Sequence, residues 1–288
     1  MSENPLIGII GGSGLYSMAG LENIEEHQLS TPFGNPSAPI VVGILEGKNV
    51  AFLSRHGIGH VLNPSEVNYR ANLYALKSLG AKWVVSISAC GSLREDYAPG
   101  DIVIPDQLFD FTKNRTYTFF DDGPVVHIGV ADPFCDKLSQ QLYTAVQETG
   151  TTVHMGGTSI TIEGPRFSTR GESNVYRSWD LSLINMTTSP EAFLAREAEL
   201  CYAVMNHVTD YDVWHETEEA VSVEQLIEIL NKNTIKAQQA IRNLVADFDT
   251  QEKCQHHDAL ASALITDPSK IHSEKLDKLS LLVDKYYK

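Results

Sequence analysis

Near its start the chain reads Leu6-Ile7-Gly8-Ile9-Ile10-Gly11-Gly12-Ser13-Gly14, a short apolar run that ends in a glycine-rich turn. This pattern predicts a buried β-strand that enters a tight turn. Similar apolar runs recur downstream, and we predict a strand at each of residues 40–42, 50–53, 83–87, 101–104 and 201–205.

Helical patterns separate several of these strands. They cover residues 67–79, 136–148 and 190–199, and the first two are followed by Gly80 and Gly150. Glycine just past the last turn is typical of a helix end. Strands that alternate with helices predict an α/β fold with a mixed, mostly parallel sheet flanked by helices.

The length and composition favour one domain over two. A chain of 288 residues with 42% hydrophobic content can bury a large core. We expect residues 1–245 to form this domain, with a long amphipathic helix from Val223 onward. Residues 246–288 are expected to add a loop and a second helix that packs on the same domain. The adjacent His256 and His257 are expected at the surface, where a metal site would need another ligand.

The net charge of the chain and the spacing of its cysteines argue against several classes of function. A formal charge of -15 opposes broad affinity for nucleic acid or an anionic membrane. No run of about 18 apolar residues and no secretory signal is present, so we expect a cytoplasmic protein. The four cysteines are scattered without a Cys-x-x-Cys pair, which predicts reduced core thiols rather than a disulfide or a metal site. They are Cys90, Cys135, Cys201 and Cys254.

Polar clusters follow the predicted strands, where ligands of parallel sheets collect. The turn at residues 11–14 can cradle a phosphate, although it fits neither the dinucleotide fingerprint nor the nucleoside-triphosphate loop. The planar guanidinium of Arg55 can donate two hydrogen bonds to phosphate oxygens, and His56 beside it would add a donor. Residues 86–92 and 184–188 supply hydroxyls and glycine after two further apolar stretches.

Two carboxylates follow the run at residues 201–205, in Thr209-Asp210-Tyr211-Asp212. If this segment is extended, Asp210 and Asp212 face the same side. Two neighbouring carboxyls in a sheltered site cannot both ionise easily, so one pKa should rise and leave a proton donor near neutral pH. Such a pair matches a purine ring nitrogen with an adjacent amino group. The alternative is that both residues open a solvated loop.

Taken together, these segments resemble the nucleoside phosphorylase family, and within it the branch that cleaves 5′-methylthioadenosine. The resemblance covers roughly residues 7–245 and implies a single-domain phosphorylase/hydrolase-like fold. The segments that carry it are residues 7–15, 31–34, 55–57, 63–65, 67–69, 89–94, 161–168, 185–188 and 209–212.

The resemblance implies roles for single residues in phosphate and nucleoside binding. Met186 would pack under the ribose, Phe167 would lie against the purine and Ser168 would belong to the base pocket. The residues expected to bind phosphate are Ser13, Arg55, His56, Ser88, Ala89 and Thr187.

The aspartate pair also indicates which base is accepted, because family members that act on 6-oxopurines have an asparagine there. Asp210 and Asp212 are therefore expected to be catalytic and to select adenine, with Asp210 protonating N7.

The resemblance further implies a 5′ pocket and a homotrimer. Val223 and Leu226 would line the pocket around the 5′ substituent, and Leu282 would close it from the C-terminal end. His127 would enter the same pocket from a neighbouring subunit.

The expected reaction is phosphorolysis of S-methyl-5′-thioadenosine to adenine and 5-methylthioribose 1-phosphate, as in purine and methionine salvage. Inorganic phosphate would be the co-substrate, with no cofactor, no metal and no partner beyond small molecules and like subunits. One alternative is a purine nucleoside phosphorylase acting on adenosine or 6-oxopurine nucleosides. A nucleoside hydrolase and a non-catalytic nucleotide-binding module are two others, but the first leaves Arg55, His56 and Thr187 without a task.

Overall fold

A computed structural model describes residues 6–12, 15, 19–121, 123–215, 223–249 and 253–287, with the side chains of residue 6 and residues 223–232 left out. Within these residues the chain forms one sheet of eleven strands. The strands are β1 (Leu6–Gly11), β2 (Glu22–His27), β3 (Ile40–Leu45), β4 (Lys48–Ser54), β5 (Ala81–Ser92), β6 (Ile102–Ile104), β7 (Gln107–Phe111), β8 (Val153–Met155), β9 (Thr158–Ile162), β10 (Leu183–Asn185) and β11 (Cys201–Asp210).

Helices cover both faces of this sheet. They are α1 (Tyr69–Ser78), α2 (Asp136–Gln147), α3 (Arg170–Ser178), α4 (Thr188–Glu197), α5 (Val223–Asp247) and α6 (Ser273–Tyr287). Two short 3-10 segments, Gln255–Ser262 and Pro268–Lys270, lie between α5 and α6.

The sheet is mixed and mostly parallel, and it branches at its longest strand. Its order is β2-β3-β4-β1-β5-β10-β9-β7, while β11 pairs with β5 and β6, and β6 pairs with β8. β1 is parallel to β4 and β5, and β11 is parallel to β5. Antiparallel pairs join β2 to β3, β3 to β4, β10 to β5 and β11 to β6. The predicted fold class is confirmed.

The opening strand shows how sequence alternation builds two cores. Ile7 and Ile9 pack into a cluster with residues of α2 and α5, whereas Ile10 packs into a second cluster with residues of α1, α4 and α6. Successive side chains of a strand point to opposite faces, which places β1 between the two layers. A Cβ at Gly8 would lie 3.3 Å from the Leu76 side chain, so α1 packs directly against β1.

Every strand predicted from an apolar run is present, as are the helices at residues 67–79, 136–148 and 190–199 and the long helix from Val223. Five strands and α3 were not predicted. β2 reads Glu-Asn-Ile-Glu-Glu-His and is mostly exposed, so it offers no apolar run. β10 has only three residues, too few to show a pattern. In α6, Leu279, Leu282 and Val283 join the α1 and α4 core.

The structure corrects the prediction about the thiols and the paired histidines. Cys201 and Cys254 form a disulfide, although 53 residues separate them, because the segment after α5 returns to the start of β11. His256 is buried at 6% exposure instead of lying at the surface. Among the described residues no helix combines the length and the apolar character needed to cross a bilayer.

Candidate active site

One cavity of about 320 Å³ lies where several strands end. Gly12 follows β1, Arg55 and His56 follow β4, and Thr187 follows β10, while β5 and β11 contribute residues near their own carboxyl ends. Its volume falls within the range of about 300–1,000 Å³ typical of small-molecule sites. The cavity therefore lies where the sequence predicts a ligand.

The structure brings together most of the residues that the sequence predicts for the site. Those that line the cavity are Arg55, His56, Ser88, Ala89, Phe167, Ser168, Met186, Thr187, Asp210 and Asp212. Ser13 lies outside the described residues. Val223 and Leu226 lie in α5, but their side chains also fall outside the described part of the chain.

Arg55 is fixed by a buried ion pair. Its Nε lies 2.8 Å from Glu191 Oε2 and its Nη2 lies 3.0 Å from Glu191 Oε1, with both side chains almost fully buried. Nη2 also donates to Ser86 Oγ and Nη1 donates to the Ile87 carbonyl. Burial alone would lower the pKa of Arg55, but the Glu191 carboxylate raises it. Since the guanidinium has five N–H groups, these four bonds leave one for a ligand.

The protonation state of His56 differs from the prediction that this residue donates a hydrogen bond to phosphate. Burial and the charge of Arg55 lower the pKa of His56 to about 4, so the ring is neutral at pH 7. Its Nδ1 lies 2.9 Å from the Leu62 carbonyl oxygen, which can only accept, so Nδ1 carries the hydrogen. The Nε2 atom is then an acceptor. His60, which the sequence reading missed, stacks on His56 with ring centroids 4.3 Å apart.

Hydroxyls from two different elements meet beside Arg55. Ser88 Oγ in β5 lies 3.3 Å from Thr187 Oγ1, which precedes α4. Asn185 shapes this turn, because its Oδ1 accepts hydrogen bonds from the backbone N–H groups of Thr187 and Thr188. The helical backbone of α4 is interrupted at Ser189, with φ of -99° and ψ of 135°, so the hydroxyls of Ser88 and Thr187 are the groups that can donate to an anion here.

The carboxylate pair lies at the other part of the cavity. Asp210 ends β11 and accepts hydrogen bonds from Thr209 Oγ1 at 2.6 Å and from the backbone N–H of Asp212 at 2.7 Å. Asp212 lies in a turn with φ of 53°, so the segment is not extended as predicted. Both carboxyls still reach the same cavity, because the turn folds Asp212 back over Asp210.

Asp212 is the carboxyl whose environment favours a proton. Burial and then the charge of Asp210 raise the pKa of Asp212, while the nearby hydroxyls of Ser173 and Ser168 oppose this effect. By distance and angle, the buried Oδ2 of Asp212 and the buried Oγ of Ser168 make no regular hydrogen bond among the described residues, although the Ser168 and Ser173 hydroxyls lie near enough to Asp212 to affect its pKa. The site therefore presents polar atoms that a ligand can satisfy.

Gly91 allows the carboxylates to approach β5. In the register of β5 and β11, Asp210 is paired with Gly91. A Cβ at Gly91 would lie 2.9 Å from Asp210 Oδ1 and 3.3 Å from Asp212 Cβ, so any larger residue would displace the pair. The sequence analysis included this glycine only as part of the polar segment at residues 86–92, and the structure shows which groups lie against it.

Apolar groups also line the cavity. Met186 lies against the chain at Gly164, where a Cβ would come within 2.6 Å of its Sδ atom. Ile162 and Ile184, which were not predicted, add to the same wall. Phe167 lines the cavity but remains 62% exposed, which places it at the mouth.

Two predicted residues lie away from this cavity. His127 follows Val126, which forms an isolated bridge with Leu264, and the cavity lining does not include His127. Leu282 is 2% exposed and packs in the α1, α4 and α6 core, so the assignment of Leu282 to the 5′ pocket is corrected. Its position in an amphipathic helix explains the difference, because α6 turns this face inward.

Known proteins are similar to this chain over most of its length. The model of the phosphorylase superfamily matches residues 6–246. A relative from Geobacter sulfurreducens, named S-methyl-5′-thioadenosine phosphorylase, is 52% identical over 282 residues, which cover 98% of this chain and 99% of the relative. The chain belongs to the phosphorylase superfamily.

Solved structures of superfamily members agree with the fold. A methylthioadenosine phosphorylase from an Antarctic soil metagenomic library has a TM-score of 0.93 and 48% identity, covering 98% of this chain and 99% of its own. The methylthioadenosine phosphorylase of Schistosoma mansoni in complex with tubercidin has a TM-score of 0.81 and 36% identity, covering 90% of this chain and 96% of its own. The resemblance inferred from the sequence is confirmed.

The raised pKa of Asp212 predicts a pH-dependent stability effect. The fold disfavours the ionised form of Asp212. Asp212 therefore lowers the free energy of unfolding at a pH above its folded pKa, and this loss of stability disappears below its unfolded pKa of about 3.9. We expect Asp212→Asn to raise the Tm at pH 8, with a gain that shrinks as the pH falls toward 4. Asparagine also tolerates the positive φ at this position.

Thermal unfolding of both proteins between pH 4 and pH 8 measures this effect. Asp96→Asn is the matched control, because the Arg94 hydrogen bond lowers the pKa of the exposed Asp96 and the pH trend should have the opposite sign. A Tm difference for Asp212→Asn that does not change with pH would contradict the assignment.

Proposed function

We propose that this chain catalyses the phosphorolysis of S-methyl-5′-thioadenosine, giving adenine and 5-methylthioribose 1-phosphate. One observation carries the proposal. A carboxylate pair and a set of anion-binding groups line the same cavity, and Met186 also lines it. The names of relatives that are about half identical over nearly the whole chain support the same substrate.

The phosphate would bind among Arg55, His56, Ser88 and Thr187. The charge of Arg55 is already balanced by Glu191, so the remaining N–H of Arg55 and the two hydroxyls must supply much of the attraction. Neutral His56 would accept a hydrogen bond from the protonated oxygen of hydrogen phosphate. Ser13 and the backbone at Ala89 complete this set as predictions from the sequence.

Adenine would bind between Phe167 and the carboxylates. A protonated carboxyl can donate to N7, while an ionised carboxyl accepts from the 6-amino group. The hydroxyl of Ser168 and the free Oδ2 of Asp212 offer further partners for the base. A 6-oxopurine has a carbonyl oxygen in place of the 6-amino group. This oxygen would face the ionised carboxylate, and both groups can only accept a hydrogen bond.

With phosphate and the nucleoside bound in one cavity, the reaction proceeds by displacement at the anomeric carbon. Phosphate attacks the anomeric carbon while the bond from that carbon to the base nitrogen breaks, and the electron pair of this bond goes to adenine. A proton from the carboxylate pair reaches N7 and makes adenine a better leaving group. Such general acid catalysis typically contributes about 10²- to 10⁴-fold in rate. The bound phosphate adds proximity, and its negative charge stabilises the electron-poor ribose.

A phosphate titration tests the function itself. We expect adenine release from S-methyl-5′-thioadenosine to rise with phosphate concentration and to saturate, and inosine to react far more slowly. Chromatographic detection of adenine and of 5-methylthioribose 1-phosphate measures both products. Adenine release that is equal without phosphate would indicate a hydrolase, and a preference for inosine would indicate a 6-oxopurine phosphorylase.

The aspartate pair gives a prediction about the proton donor. The resemblance assigns this role to Asp210, whereas the environment raises the pKa of Asp212, so we propose that the two carboxyls share one proton as a coupled pair. Asp210→Ala should lower kcat more than Asp210→Asn, because asparagine can still donate a hydrogen bond. Steady-state kinetics at saturating phosphate give the comparison, and equal losses in the two variants would count against proton donation.

The homotrimer is also part of the proposal. In the single chain the cavity mouth is bordered by exposed Phe167, and His127 is absent from the lining. Phe109, Phe111 and Trp179 form an exposed aromatic cluster along the edge strand β7, a surface suited to contact with another subunit. A neighbouring subunit could cover this surface and bring His127 to the mouth. A cytoplasmic location stays a prediction from the sequence.

Mixed assemblies test whether His127 acts between subunits. His127→Ala and Asp210→Asn proteins, co-expressed with different tags, should form hybrids in which about a quarter of the sites have both wild-type residues. We therefore expect the kcat/KM of the hybrids at low substrate to exceed the mean of the two parents. Light scattering gives the subunit number in the same samples. Activity no higher than that mean, or a monomeric protein, would contradict the shared site.

A further inference from the structure

A cluster of three cysteines and one histidine lies outside the catalytic cavity. Cys135 precedes α2, Cys201 begins β11, and Cys254 and His256 belong to the segment that follows α5. Their ligand atoms all lie within 4.8 Å of one another. Cys135 Sγ is 3.6 Å from Cys254 Sγ, and Cys254 is disulfide-bonded to Cys201. Three separate parts of the chain therefore meet at one sulfur-rich point.

The histidine of this cluster is both buried and unsatisfied. His256 is 6% exposed, and its Nδ1 has no hydrogen-bond partner among the described residues. Burial of a polar atom without a partner is costly, and buried polar groups are nearly always paired. A metal ion bound by the imidazole would remove this cost for the ring.

The donor set has the chemistry of a structural zinc site. Three thiolates and one imidazole form a Cys₃His set, which binds Zn²⁺ in tetrahedral geometry. With Zn–S bonds of about 2.3 Å, tetrahedral sulfurs lie roughly 3.8 Å apart, close to the 3.6 Å between Cys135 and Cys254. Cys135 lies at the N-terminal end of α2, where burial raises the pKa of its thiol and the backbone N–H groups of Leu138 and Lys137 partly oppose this effect.

We propose that Cys135, Cys201, Cys254 and His256 form a tetrahedral site for a thiophilic divalent cation such as Zn²⁺ when the Cys201–Cys254 disulfide is reduced. A thiol reductant supplies two electrons and two protons, which gives two thiols, and is itself oxidised to a disulfide. Binding of Zn²⁺ then releases three protons from the three cysteines. The disulfide and the metal site are thus two alternative states of one cluster.

The position of the site makes its role structural. β11 runs from Cys201 to Asp210, so the cluster lies at the opposite end of this strand from the catalytic carboxylates. In either state the cluster ties the segment after α5 to β11. The metal would add α2 to this connection, through Cys135.

Cobalt titration of the full chain tests the proposal. Protein reduced with a phosphine and kept without oxygen should bind one Co²⁺ and show thiolate-to-cobalt charge-transfer and tetrahedral d–d bands, which Zn²⁺ then abolishes. The oxidised protein should show neither band. Addition of Zn²⁺ should also raise the Tm of the reduced protein.

Matched variants identify the ligands. Cys135→Ser and His256→Asn should each weaken cobalt binding at least about tenfold, the smallest loss seen even for outer-shell partners. His257→Asn is the control, because this neighbouring ring also lies near Cys201 Sγ, at 3.4 Å, but falls outside the proposed set. Retained phosphorolysis shows that each variant is folded.

Three results would overturn the proposal: no cobalt–thiolate bands in the reduced wild type, the same affinity in Cys135→Ser, or loss of the bands in His257→Asn. These outcomes leave the proposed catalytic function untouched, since none of the four residues lines its cavity.

Discussion

The parallel pairing of β5 and β11 is the constraint on which the site depends. Its register sets Asn206 opposite Ser88 and Asp210 opposite Gly91, so the anion-binding hydroxyl and the catalytic carboxylate share one sheet edge. Three residues of β5 separate the two levels, which corresponds to about 10 Å along a strand. This spacing leaves room for a sugar between an anion and a base. The register is irregular between Val208 and Asp210, and a further shift of β11 by one residue would turn Asp210 to the other face of the sheet and away from Gly91.

The electrostatics of the cavity are those of local dipoles and paired charges. The protein has a formal charge of -15, and the one arginine in the cavity lining is bound to Glu191 in a buried ion pair. A phosphate therefore meets little net positive charge. Its attraction must come from hydroxyls and from the one remaining N–H of Arg55. Weak net attraction suits a group that must be held in place and yet react, because binding strengthened only in the transition state raises the rate.

Much of the fold and most of the site lining could be predicted from the sequence, because local patterns carry them. The apolar runs mark the central strands, and the polar residues after them mark the cavity. Properties that depend on distant partners could not be predicted. Arg55 is paired with Glu191, 136 residues away, and the neutral state of His56 depends first on its burial in the folded protein. The Cys201–Cys254 bond joins segments whose approach depends on the path of the chain after α5.

The carboxylate pair shows why a site can be less stable than its surroundings. Asp212 has a positive φ, a raised pKa and a buried oxygen without a partner among the described residues, and each of these features costs free energy. The neighbouring Ser168 hydroxyl is also buried and makes no regular hydrogen bond within the part of the chain that the structure describes. Elsewhere in the fold, local preferences agree with the structure, as in the glycine ends of α1 and α2. Several unfavourable features of this kind in one cavity are expected where a ligand supplies the missing hydrogen-bond partners. The base of a bound nucleoside would satisfy these oxygens, so part of the binding free energy comes from relief of costs already present in the empty site.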